Sequence, residues 1–221
     1  EYKKVPKECY MVFNEKDWVF TQATAVSSVN VYEDREWQIT EDTMQYVNVN
    51  GNSWTTEYLR KYYKTFRGAM NLKDHLSPEE GGKIYGMIID AVPRRIKTGV
   101  KDNYVLYIDT IIATNKHIDR TWADSIRKGT IRYLSVGFNC DYLICSKCGH
   151  IYAIDDTGIC QHCAFEVGRT FYDELGRESK ISAMVSFVEG GDIANDGEFV
   201  ELSYLSVNPA FTGATKAFTI E

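Results

Sequence analysis

The most informative stretch of the sequence is Ile131-Arg132-Tyr133-Leu134-Ser135-Val136-Gly137-Phe138-Asn139. Its β-branched and aromatic residues, with large apolar side chains at every second position, predict a β-strand. Because side chains alternate along a strand, Leu134, Val136 and Phe138 share one face and point toward a core. Ser135 then lies on the opposite face beside Gly137, whose missing side chain leaves space that a substrate backbone can use.

The composition is that of a globular protein rich in strands. Of its 221 residues, 44% are hydrophobic and 25% are charged, and 15 Tyr and 10 Phe accompany only 4 Pro. Aromatic residues favour strands, so we expect an α+β fold that is mainly β. We expect a single domain over residues 1–221, β-rich in its first 50 residues, with an inserted hairpin at 140–168.

The net charge and the hydropathy pattern exclude two classes of partner. A net charge of −6 leaves no broad cationic surface for nucleic acid or for an anionic membrane. No apolar run approaches the roughly 18 residues that a membrane-spanning helix needs. We therefore expect no membrane association, and the acidic balance argues against nucleic-acid binding.

Two helices are predicted from periodicity and capping residues. The first covers residues 53–68, with Ser53 as its N-cap and Gly68 at its end. Aromatic side chains recur there at every fourth position: Trp54, Tyr58, Tyr62 and Phe66. The second is a short helix that Asp119 caps and Gly129 ends.

Four of the six cysteines form two Cys-x-x-Cys pairs within the insertion. The pairs are Cys145 with Cys148 and Cys160 with Cys163. Four soft sulfur ligands in tetrahedral arrangement suit Zn²⁺, and a site closed by four protein ligands is structural, not catalytic. We therefore predict a zinc ribbon held by these four residues.

Several alternatives remain for the cysteine insertion. His150 and His162 are spare ligands in case one cysteine does not bind the metal. A redox dithiol is the competing interpretation, but the βαβ context of such motifs is missing from this sequence. Cys9 and Cys140 are expected to be ordinary buried thiols. A zinc ribbon that binds nucleic acid is the weakest alternative, because the chain is acidic.

A nucleophilic serine needs a base, and few histidines can serve. The sequence has four, at 75, 117, 150 and 162. Two lie in the insertion, and His117 lies in a polar turn where solvation is expected. His75 is left as the candidate base, in the segment Asn71-Leu72-Lys73-Asp74-His75.

The order of these segments resembles the prohead (capsid maturation) proteases of tailed bacteriophages, which share the herpesvirus assemblin fold. The resemblance covers about residues 50–215. Its most specific blocks are Leu134-Ser135-Val136-Gly137-Phe138 and Glu201-Leu202-Ser203, the latter followed by Pro209-Ala210. It implies a β-barrel core ringed by a few helices, with the zinc ribbon as a departure from the family pattern.

The resemblance also implies roles for individual residues. Ser135 matches the nucleophile, His75 matches the general base, and Glu201 stands where assemblins place their third member, a His. A carboxylate there would fix the imidazole tautomer and stabilise the imidazolium. Asp74, Asp90 and Asp109 are rivals for this orienting role. Oxyanion donors are expected from backbone N–H groups near the nucleophile or from residues 208–213.

These expectations amount to a serine endopeptidase that cleaves scaffold and major capsid precursor proteins in the prohead interior, within the host cytoplasm during assembly. Self-processing or a homo-oligomer is expected as well, and the terminal Glu221 suits self-cleavage loosely. The alternative is a catalytically inactive head component that keeps the protease fold and uses the zinc ribbon for protein contacts.

Overall fold

The computed structural model of this chain describes residues 13–28, 47–48, 50–97, 104–153, 158–174, 176, 178–188, 194–206 and 218–219. Cys9 and most of the β-rich segment predicted before residue 50 lie outside these ranges. The described elements are mainly strands with three short helices, which confirms the predicted mainly-β composition of the fold.

The largest sheet has seven strands. In spatial order they are β13 (Phe218–Thr219), β1 (Trp18–Ser27), β5 (Tyr104–Asn115), β4 (Gly86–Lys97), β3 (Met70–Asn71), β12 (Gly197–Leu205) and β6 (Tyr133–Cys140). All neighbours are antiparallel except β3 and β12, which pair in parallel through Met70 and Glu201.

This sheet curls into a half-barrel. The hydroxyls of Thr21 in β1 and Tyr204 in β12 are in hydrogen-bond contact, although three strands separate β1 from β12 in the sheet. Such a contact requires the sheet to bend back on itself, as strongly twisted sheets do. Leu134 and Leu202 are buried beside Tyr204, so the predicted apolar face of β6 does point into the core.

A second sheet of four strands joins the cysteine insertion to the rest of the fold. Its order is β2 (Asn52–Trp54), β11 (Ala183–Val185), β7 (Leu143–Cys145) and β8 (Ile151–Tyr152). A two-stranded hairpin of β9 (Thr170–Tyr172) and β10 (Glu178–Lys180) follows the insertion. The side chains of Trp54 and Phe138 meet edge to face, with ring centroids 5.1 Å apart, and connect the second sheet to β6.

The three helices are α1 (Thr56–Tyr62), α2 (Arg120–Arg127) and α3 (Gln161–Phe165), and a 3₁₀ turn at Tyr63–Phe66 extends α1. The predicted Asp119 cap is correct, since the Asp119 carboxylate accepts a hydrogen bond from the backbone N–H of Trp122 at 2.9 Å.

The predicted start of the first helix is wrong. Ser53 lies in β2, where its hydroxyl is 2.8 Å from that of Ser182, and Trp54 belongs to the same strand. The N-cap is Thr55, whose side chain accepts a hydrogen bond from the N–H of Tyr58. Strand pairing with β11, distant in sequence, overrides the local helical pattern.

Candidate functional site

Strand β12 lies between the two elements that carry the predicted nucleophile and base. On one side, β6 pairs with it so that Ser135 is opposite Ser203 and Gly137 is opposite Glu201. Directly opposite residues of neighbouring strands point to the same face, and so do residues two apart. These four residues therefore share one face, opposite to the apolar face that packs into the core.

Gly137 leaves room for the Glu201 side chain. A Cβ atom at this position would lie 2.5 Å from Oε1 and 2.7 Å from Cγ of Glu201. Cβ atoms essentially never come this close to atoms they are not bonded to, so the Glu201 side chain can lie over Gly137 because residue 137 has no side chain.

On the other side of β12, the chain after β3 brings His75 to Glu201. Nδ1 of His75 lies 2.5 Å from Oε1 of Glu201, and the hydroxyl of Ser203 donates a hydrogen bond to Oε2. Both carboxylate oxygens are thus engaged. With Nδ1–H donating to Glu201, Nε2 of His75 is the ring nitrogen that accepts a proton from another group.

The pKa of His75 is set mainly by its contact with Glu201. The Glu201 side chain is 10% exposed and that of His75 is 42% exposed. The hydrogen bond to Glu201 raises the pKa of His75 above its ordinary value, and the negative charges of Glu201 and Asp74 act in the same direction against desolvation. The imidazolium form of His75 is therefore stabilised, as a base that receives a proton requires.

The three rival carboxylates have other partners. Asp74 accepts hydrogen bonds from Ser206, Asp90 pairs with Arg67 at 2.6 Å, and Asp109 accepts from Arg94 and from Thr24. Glu201 is the predicted carboxylate that the structure brings to the His75 ring.

Ser135 is 4% exposed and lies on the same face as Glu201. The predicted oxyanion loop at 208–213 lies outside the described residues. Sequence reasoning gave Ser203 no role, although it follows Glu201 by two positions in a strand and so had to share its face. That spacing was the signal for it.

A cavity of about 260 Å³ lies along the first residues of β12, before Glu201. Its walls include Val200, directly before Glu201, and Pro78 and Glu79, which follow His75 in the chain. The rest of its lining is largely apolar and comes from residues 65 and 67–70, Ile84, Gly86, Met87, Glu198 and Phe199. The cavity is large enough to hold one side chain of a peptide.

The cysteine insertion forms a second candidate site. One ligand atom from each of Cys145, Cys148, Cys160 and His162 lies within 4.8 Å of the others. Two sulfurs on a tetrahedral Zn²⁺ are about 3.8 Å apart, so a small contraction of this cluster would hold the ion. Three thiols and an imidazole are a usual zinc ligand set.

The cluster includes His162, which was expected only as a spare ligand. Sγ of Cys163, the fourth predicted ligand, lies 3.6 Å from the carbonyl oxygen of Ser182 and also interacts with the thiols of Cys145 and Cys160. Nδ1 of His162 is buried without a hydrogen-bond partner, which is unusual for a ring nitrogen and suits metal ligation. His150, the other spare ligand, contacts the carbonyl oxygen of Gly158 at 2.8 Å.

The remaining predicted side chains have ordinary surroundings. His117 is exposed and pairs with Asp17 at 2.8 Å. Burial raises the pKa of the Cys140 thiol to about 12, so this cysteine is unreactive at neutral pH.

Within the described ranges, none of the helices is both long and apolar enough to span a membrane. Comparisons with known protein families, with curated proteins and with solved structures found no match to this chain.

Proposed function

We propose that this chain is a serine endopeptidase in which Ser135 is the nucleophile, His75 the general base and Glu201 the residue that orients His75. The observation that carries the proposal is the contact between His75 and Glu201, which are 126 residues apart in sequence. Ser135 shares the face of the sheet on which this contact is made. A base held by a carboxylate, on the same face of a sheet as a serine, suits an acyl-transfer site.

The chemistry follows from these roles. Oγ of Ser135 attacks the carbonyl carbon of a peptide bond while Nε2 of His75 accepts the hydroxyl proton. The same proton passes to the departing amine, and the acyl group stays on Ser135. Water then loses a proton to His75 and releases the acid, which restores the free hydroxyl. Glu201 holds the imidazole in the required tautomer throughout.

The cavity along the start of β12 would receive a substrate side chain. Its lining includes Glu198, Phe199 and Val200, directly before Glu201, so a peptide that follows this strand would reach it. An occupied cavity would hold the scissile bond in register with the nucleophile, which is a large part of catalysis.

The biological setting proposed here is prohead maturation in a tailed bacteriophage. Support comes from the two sequence blocks around Ser135 and Glu201 and from a curled, mainly-β fold that suits an assemblin-like barrel. The substrates would be scaffold and major capsid precursor chains inside the prohead, during assembly in the host cytoplasm. Processing of its own chain, or assembly into a homo-oligomer, belongs to the same proposal.

Zinc would have a structural role in this protein. Cys145, Cys148 and Cys160 would hold it with His162 as the fourth ligand, and Cys163 is the alternative. The ion would fasten the loop after β7 to the start of α3, forming the proposed zinc ribbon. All four positions would be filled by the protein, which leaves no place on the metal for a reacting water.

Labelling with a fluorophosphonate tests the nucleophile without knowledge of the substrate. We expect a covalent adduct on Ser135, and we expect Ser135→Ala to lose both the adduct and all cleavage of capsid precursors while its thermal unfolding is unchanged. Ser125→Ala, which alters a serine of α2, is the matched control and keeps full labelling. An adduct that persists in Ser135→Ala would refute the assignment.

One observation favours the second candidate, a head component without catalysis. Ser135 is buried, and a nucleophile must be reached by its substrate. If neither fluorophosphonate nor a capsid precursor reacts with the folded protein, while the protein still joins assembling heads, the structural role is the correct one.

A further inference from the structure

The turn that brings His75 to Glu201 has an unusual backbone conformation. Asp74 and His75 have φ angles of 52° and 61°, and among the described residues other than glycine they are the two with positive φ. Side chains crowd the backbone in this left-handed region, so each such residue costs about 1 kcal/mol or more. Two in succession persist only where surrounding contacts hold them.

The turn has its own hydrogen bond, from the backbone N–H of Leu76 to the carbonyl oxygen of Lys73 at 3.0 Å, and further contacts come from one end of β12. The backbone N–H of Asp74 donates to the carbonyl oxygen of Tyr204 at 2.9 Å. The Asp74 carboxylate accepts one hydrogen bond from the backbone N–H of Ser206 at 2.6 Å and a second from the Ser206 hydroxyl. We call this arrangement the Asp74–Ser206 clamp.

The clamp and the orienting carboxylate belong to the same strand segment. Glu201 lies in β12 and Ser206 directly follows it, so β12 fixes both the backbone before His75 and the acceptor for its ring. We propose that Asp74 is a positioning residue, which through Ser206 holds the turn that presents Nδ1 of His75 to Glu201. This inference rests on the proposed function for its catalytic consequence, but its structural part can be tested alone.

Three variants separate the clamp from the backbone strain. Asp74→Gly removes the carboxylate and relieves the positive φ, because glycine adopts it freely. Asp74→Asn keeps an acceptor for the Ser206 N–H and tolerates the left-handed conformation. Ser206→Ala removes the hydroxyl donor and leaves the backbone N–H. Asp124→Asn, which alters an acidic residue of α2, is the control.

The first measurement is the NMR signal of the His75 imidazole, read through its ring nitrogens. In the native protein we expect the Nδ1 proton to be far downfield and protected from exchange, because it is held by Glu201. Asp74→Gly should lose this signal although glycine removes the strain. Asp74→Asn and the control should keep it, and Ser206→Ala should show a weakened signal.

The second measurement is the rate of fluorophosphonate labelling or of precursor cleavage. We expect Asp74→Gly to lower the labelling rate about 100-fold, since a shift of about 1 Å in a catalytic group has this effect. For precursor cleavage, the same loss should appear in kcat with little change in KM. Asp74→Asn should stay within about 3-fold of the native rate.

The inference is overturned if Asp74→Gly keeps the His75 signal, whatever the rates are. It is also overturned if Asp74→Asn loses the signal as fully as Asp74→Gly, since the clamp would then not be what matters. A native protein that shows the signal but never labels or cleaves would instead refute the proposed function and leave the clamp intact.

Discussion

At the scale of single residues, the site depends on glycine at position 137, because Gly137 has no side chain to displace Glu201. Glu201 extends across Gly137 and meets His75 with one oxygen and Ser203 with the other. A carboxylate fixed at both oxygens cannot swing away from a new neighbour without breaking one of these bonds. Any added atom at position 137 therefore acts on the imidazole indirectly, through Glu201.

We expect Gly137→Ala to displace Glu201 and to lower the rate of Ser135 labelling about 100-fold, while the protein remains folded. Asn139→Ala is the matched control, because Asn139 is exposed and points to the same face of β6 two positions along. Labelling rates and thermal unfolding of both variants check this. Equal rates for the two variants would show that Glu201 does not act on the reaction.

The pH dependence of labelling reports the His75–Glu201 pair. His75 must be neutral to accept the serine proton, and its pKa is raised, so the rate should rise with pH through a midpoint above about 6.5. Glu201→Gln removes the charge that raises the pKa, and its midpoint should move toward lower pH. A midpoint unchanged by Glu201→Gln would contradict the contact.

The free energy of unfolding should fall as pH rises through the pKa of His75, whereas the labelling rate rises. Because the folded-state pKa of His75 is raised, the pair contributes its full stabilisation below about 6.5 and loses it as pH rises through the higher pKa. Glu201→Gln should thus destabilise the protein more at pH 6 than at pH 9, in urea titrations at the two pH values.

At the scale of elements, a metal ion bound by the cysteine cluster would stabilise more than its own loop. Cys145 ends β7, which pairs with β11, and β11 pairs with β2, whose Trp54 contacts Phe138 of the nucleophile strand. Loss of the ion would therefore loosen the whole second sheet and reach β6 through one aromatic contact.

Removal of zinc with a strong chelator, or the change Cys145→Ser, should lower the unfolding temperature by about 10 °C, a shift worth several kcal/mol in a chain of this size. Cys140→Ser, outside the cluster, should have a small effect on the unfolding temperature.

The zinc content of two further variants identifies the fourth ligand. We expect His162→Ala to lose zinc and Cys163→Ser to keep it. The opposite result would identify Cys163 as the fourth ligand.

Local pattern and remote pairing explain which elements could be predicted. The faces of β6 and the Asp119 cap follow from neighbouring residues alone, and both are correct. The strand at Ser53 could not be predicted, because its partner in β11 lies about 130 positions away and the local sequence also suits a helix. The same limit applies to His162, whose place depends on how α3 packs.

At the scale of the whole molecule, topology brings the candidate site together. His75 follows β3 and Ser135 lies in β6, on opposite sides of β12, and no local pattern predicts that they come together. Strand alternation and elimination among the histidines made Ser135 and His75 candidates, and the resemblance joined them with Glu201 into one set. The turn at Asp74 and His75 has two successive positive φ angles, and Asp and His signal this conformation more weakly than glycine does.

The parallel pairing of Met70 with Glu201 has a consequence for the timing of activity. During translation, the residues proposed as base and nucleophile both leave the ribosome well before residues 197–205 are made, and neither has its partner in β12 until then. Pairings between such distant segments form slowly and late. A newly made chain would thus not cleave neighbouring proteins until β12 pairs with β3 and β6, and the order of synthesis sets this delay.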